Sequence, residues 1–112
     1  MQIPNGVDSD AMRDGFTQLQ LDALCLTQAL LGVISQNFRL VSVTREGKRI
    51  TVRILLANKC GEDIEEIDEL KTEFEAYFPG PVEIDVEVHV SKEPIILDPP
   101  DESTIVVFRR RE

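Results

Sequence analysis

The sequence is poor in everything that catalysis, metal binding and nucleic-acid binding usually draw on. It has one histidine (His89), two cysteines, no tryptophan, and 12 Lys and Arg against 21 Asp and Glu over 112 residues. No phosphate-cradling loop, HExxH pair or GxSxG elbow occurs. The two cysteines, Cys25 in an apolar run and Cys60 in the loop Asn58-Lys59-Cys60-Gly61, form neither a disulfide framework nor a zinc site. A net charge of −9 opposes contact with phosphate backbones and with anionic membrane surfaces, since both are bound through Lys and Arg. The longest apolar region, Leu19 to Ile34, is interrupted by Gln20, Asp22, Thr27 and Gln28 and is too short to span a bilayer. Met1 to Gly6 shows no basic stretch followed by an apolar run, so no signal peptide is expected and the cytoplasm is the expected compartment.

What the chain has in abundance is carboxylate, and it is concentrated. Between Glu62 and Glu93 lie twelve acidic residues, answered only by Lys71 and Lys92. Such a surface either keeps a protein soluble or meets a basic partner. The hydrophobic fraction of 42% is that of a globular protein, and the length fits a single domain over residues 1–112. Residues 1–14 are polar and read as a loose arm.

Apolar periodicity predicts six elements. Ala23, Leu26, Leu30 and Val33 recur at helical spacing, widened by Leu24 and Leu31, and predict a largely buried helix from Phe16 to Ile34. Phe38 to Thr44 and Arg49 to Ala57, joined through Arg45-Glu46-Gly47-Lys48, predict an antiparallel hairpin. Ile64, Ile67, Leu70, Phe74, Tyr77 and Phe78 form one stripe of a second helix from Glu62 to Phe78, stopped by Pro79-Gly80-Pro81. Val82, Ile84, Val86, Val88 and Val90 alternate with Glu83, Asp85, Glu87 and His89, a third strand with one wet face. A loop rich in Pro and Asp leads to a fourth strand, Thr104 to Arg109. The expected fold is α/β of the α+β kind. It is a two-layer sandwich in the order αββαββ, with about four strands and both helices on one sheet face. The other face, with Arg49, Arg53, Glu83, Asp85, Glu87 and His89, is expected to be open to water.

No candidate catalytic residue, cofactor site or metal site emerges. Acid–base pairs need one carboxyl in an apolar pocket, whereas these carboxylates lie on polar faces. Glu62 to Glu69 has helical spacing and lacks the central glycine of a calcium loop. His89, alternating with acids on a strand, reads as a surface residue, Cys60 as a spectator thiol, and Arg109-Arg110-Arg111 as a strand end or a partner of the acidic sheet face. The candidate partner-binding residues are therefore the acids themselves: Glu62, Asp63, Glu65, Glu66, Asp68, Glu69 and Glu73 on the second helix, and Glu83, Asp85 and Glu87 on the third strand. The expected partner is a basic protein.

In size, acidity and layout, with an acidic helix (Ile64 to Phe78) and an acidic strand (Val82 to Val90), the chain resembles the small immunity proteins that bacteria make against their own secreted nuclease toxins. Those of contact-dependent growth inhibition systems are among them. The resemblance implies a non-enzymatic inhibitor that neutralises one cognate toxin by direct binding. The alternatives are an adaptor or regulatory subunit of another basic protein, or a DNA mimic, and a small enzyme with an unrecognised site.

Overall fold

The computed structural model describes residues 17–97, 99 and 102–112. The arm expected over residues 1–14 lies outside them, as does Phe16. The elements are α1 (Gln18–Leu30), β1 (Phe38–Glu46), β2 (Arg49–Leu56), α2 (Gly61–Glu75), β3 (Glu83–Val90) and β4 (Thr104–Arg109). The order αββαββ and the two-layer α+β architecture are as expected from periodicity.

Helix α1 starts on a capping box. The Thr17 hydroxyl accepts from the Gln20 amide at 3.1 Å, and the Gln20 side-chain oxygen accepts from the Thr17 amide at 2.8 Å. The helix is shorter than its apolar run suggests. Leu31 is already extended and Gly32 takes φ 85°, a left-handed value that ends a helix cheaply only at glycine.

The hairpin forms as predicted, with Glu46 opposite Arg49 and Gly47 at φ 62° in the turn. Strand β3 then pairs with β2 in parallel, which requires a crossover, and α2 supplies it. Strand β4 pairs antiparallel with β1, giving the mixed order β3-β2-β1-β4.

Both helices cover one sheet face. Leu19, Ala23, Leu26, Ala29 and Leu30 from α1 and Ile67, Leu70 and Phe74 from α2 share a core with Phe38, Val41, Val43, Ile50, Val52, Ile54 and Leu56. Helix α1 lies over β4 and β1, and α2 lies beside α1 toward β3.

The apolar stripes are narrower than the sequence suggests. Leu24 on α1 is 58% exposed, and Leu31, just past the end of the helix, is 71% exposed. Ile64 and Tyr77 are also exposed. Helix α2 ends at Glu75, ahead of Pro79, so Tyr77 and Phe78 lie outside it; Phe78 still reaches the core, edge-on to Phe74 at 5.1 Å.

The face away from the helices is not wholly open. Strand β3 ends beside Leu56, whereas β4 begins beside Thr44 at the far end of the sheet and on its opposite edge. The connection between them must cross β2 and β1. Its residues Pro94, Ile95 and Ile96 line a hollow of about 270 Å³ with Leu40, Ser42, Arg53, Leu55 and His89. Ser42 is consequently buried, although it points away from the helices.

Three polar side chains inside this framework are structural. Asp22 is fully buried, and both its oxygens accept from Arg45 Nη1, at 3.0 and 2.9 Å. A buried carboxylate must be paired, and Arg45 at the end of β1 provides the pair. The Asp22→Asn substitution keeps the shape and removes the charge. It should lower stability by about 1.5–3 kcal/mol, the range for hydrogen bonds to charged groups. A urea midpoint equal to that of the parent protein would contradict this. Arg39 is nearly buried and holds Glu112 in a two-pronged contact, both distances 2.8 Å, while its Nη1 donates to the Ser91 carbonyl at 2.5 Å. Hydrogen bonding from Arg39 drives the Glu112 carboxyl down to about 2, with Arg110 adding to the effect. Asn37 ties β2 to α2: it accepts from the Asn58 amide at 2.8 Å and donates to Asp63 at 2.9 Å.

Candidate partner-binding surface

Helix α2 carries its acids on the side that the core leaves free. At 3.6 residues per turn, the buried Asp63, Ile67, Leu70 and Phe74 mark one side of the helix, and Glu62, Glu65, Glu66, Glu69 and Glu73 gather on the solvent side within an arc of roughly 100°. All five are exposed. Neighbours along the strip are three or four residues apart, the spacing at which like charges face each other, and each such pair costs about 0.2–0.5 kcal/mol. Among the described residues no ion pair within 4.0 Å relieves any of them. Glu62 alone gains from the helix dipole, being in the first turn. Asp68 is exposed but lies off the strip.

Asp63 differs from the other six candidate acids of α2. It is 5% exposed and its carboxylate accepts from Asn37, so it serves the fold. Its position was legible, since it stands four residues before Ile67 and seven before Leu70, on the apolar stripe.

The acids of β3 lie on the wet sheet face, but they are answered by bases. The parallel register sets Arg49 opposite Glu83 and Arg53 opposite Glu87. Arg49 reaches Glu83 at 3.4 Å and Asp85 at 3.5 Å, and Arg53 reaches Glu87 at 3.1 Å. These side chains are about half exposed or more, so each pair adds little stability. Its effect on the field is larger: two guanidinium groups cancel most of what three carboxylates project. His89 is exposed on the same face, 3.6 Å from Glu87.

The sheet order brings the two acidic segments to one side of the molecule. Strand β3 is the edge strand on that side and α2 is the helix nearest it, so charge is dense around that edge. The opposite side carries little charge among the described residues. From Thr17 to Phe38 the only charged residue is Asp22, and it is buried and paired.

Other candidates take structural or unremarkable places. Arg110 pairs with Glu112 at 3.0 Å and donates to the Gln36 carbonyl at 2.9 Å, so it does not join the acidic sheet face. Cys25 and Cys60 are free thiols, and burial, followed by the charge of Asp22, raises the Cys25 pKa. Among the described residues no group of His, Cys, Asp and Glu is arranged to hold a metal ion, and no helix is long and apolar enough to cross a membrane.

Comparison with known proteins gives one family. Residues 22–112 match a family model described as MafI2 immunity protein. No curated protein matches the chain.

Proposed function

The chain belongs to the MafI2 immunity protein family, and on that premise we propose that it is a non-enzymatic inhibitor of a cognate toxin, bound directly through the acidic strip of α2. The matched residues span α2 and β3, so both acidic segments lie within the family region. The observation that carries the proposal is the strip itself: five carboxylates set against one another, at a cost to the helix, with no ion pair among the described residues to relieve them. A basic partner would turn that cost into attraction, speeding encounter and selecting against acidic competitors.

The contact surface comprises Glu62, Glu65, Glu66, Glu69 and Glu73, with Asp68 at its margin. Glu83, Asp85 and Glu87 are secondary, since Arg49 and Arg53 already hold them. A toxin that acts on nucleic acid fits this charge, because phosphate binding demands a basic surface. The inhibitor works in the cytoplasm, where such a toxin would meet its substrate.

An inhibitor of this kind acts by occupancy. Titrated into the toxin, it should abolish activity at about one molecule per toxin, with affinity falling as salt rises. It should leave unrelated toxins active, because shape adds selectivity to charge. Rescue of toxin-expressing cells by catalytic amounts of the protein, or binding that ignores salt, would overturn the proposal.

A further inference from the structure

The side of the molecule remote from the acids has an open strand edge. Strand β4 is the last strand of the sheet, and among the described residues its outer backbone has no strand partner. Thr104 to Phe108 contains no charge, proline or glycine, so the charge that blunts this edge is confined to its last residue, the exposed Arg109. The other edge strand, β3, has an acid or His89 at every second position. The irregularity in the pairing of β4 with β1 falls beyond Val106, leaving Thr104 to Val106 in regular register. Apolar surface flanks this edge. Leu24 is 58% and Val106 41% exposed, and with Ala23, Thr27, Ile105 and Val107 they line an open groove of about 330 Å³.

We propose that this flank, the β4 edge with the outer side of α1, is where a second copy of the chain docks, β4 against β4 in antiparallel fashion about a two-fold axis. Charge selects this occupant. Two chains of net charge −9 repel each other, and the side formed by α1 and β4 is where the described residues oppose their approach least. A basic partner would gain nothing there and would be drawn to the α2 side instead. Antiparallel pairing of identical strands is self-complementary, as a two-fold contact requires. The groove between α1 and β4 adds apolar area to a strand pairing that is short by itself.

The test is the mass of the full chain in solution. Sedimentation equilibrium should give about 25 kDa, twice the 12.6 kDa of one chain, at tens of micromolar. Raising salt should tighten the dimer, because it screens the repulsion of two like-charged chains. That sign is opposite to the one expected for toxin binding. The variants Val106→Lys and Leu24→Lys should each sediment as 12.6 kDa with an unchanged circular dichroism spectrum. Both positions are exposed, so the substitutions should leave the fold intact, and a lysine at either places an unpaired charge in the proposed seam, at Val106 close to its own symmetry mate. A monomeric parent chain at every concentration and salt overturns the proposal without reference to the variants, and leaves the edge to a strand of the toxin or to residues 1–16. A dimer that survives both substitutions overturns it equally. No toxin enters the measurement, so its outcome is separate from that of the α2 contact.

Discussion

Replacing Glu65, Glu66 and Glu69 together by lysine should weaken toxin binding at least about a hundredfold, roughly 3 kcal/mol, and abolish protection of toxin-expressing cells. The three side chains occupy the middle of the exposed strip, and none packs on the core. The loss should lie in recognition, not folding. Removing like-charge neighbours at three- and four-residue spacing relieves repulsion within the helix, so the variant should be no less stable than the parent. A protein that becomes more robust while losing its partner is the signature of a surface kept for binding at the expense of stability. The companion reversal at Glu83, Asp85 and Glu87 should have a much smaller effect on affinity, because Arg49 and Arg53 already offset those carboxylates. If the strand variant loses the toxin and the helix variant keeps it, the contact lies on the sheet face. If both keep it with unchanged salt dependence, charge is not what recognises the toxin.

Phe74→Ala should destabilise the protein by about 3–5 kcal/mol, the usual loss for truncating a buried aromatic residue. Phe74 is fully buried, ends the apolar stripe of α2, and carries the edge-to-face contact that holds Phe78 after the helix has stopped. Its removal would open a cavity beneath the helix that presents the acids. For a domain of this size the loss corresponds to a fall in melting temperature of roughly 10–20 °C. Urea unfolding should show the midpoint falling with the slope unchanged. A midpoint that stays in place would mean that the ring does not support the helix. Protection should fall with the folded fraction, whereas the lysine substitutions remove protection from a folded protein.

Much of the fold was legible because each element carries its own period. Ile50, Val52, Ile54 and Leu56 alternate along β2 and are all buried, and Ile67, Leu70 and Phe74 sit at helical spacing and face the core. The ends were less legible. Thr17 and Gln20 form a capping box that fixes the start of α1, yet the apolar run continued past Leu30 and hid the stop at Gly32. Asp22 read as an interruption of an apolar stretch. Its position three residues after Leu19 and four before Leu26 places it on the buried stripe, which signals a paired carboxylate but cannot name Arg45, 23 residues away, as its partner. Arg39 gave no such signal: between Phe38 and Leu40 it reads as the wet position of an alternating strand, whereas the pairing with β2 shifts register there and the side chain is buried.

The sequence by itself determined the six elements, the charge of the surface and the concentration of acid between Glu62 and Glu93, because those depend on residues near one another along the chain. Tertiary structure alone decided which carboxylates stay uncompensated. The parallel pairing of β3 with β2 set Arg49 and Arg53, more than thirty residues earlier, beside Glu83, Asp85 and Glu87. The same fold turned Asp63 inward to Asn37 and left Glu62, Glu65, Glu66, Glu69 and Glu73 facing water. Strand order placed β3 and β4 on opposite edges, so the acids came to lie on one side and the apolar, weakly charged edge on the other. Opposite charges attract across space regardless of their separation in sequence, so the pattern of neutralisation, and with it the proposed binding face, appears only once the chain has folded.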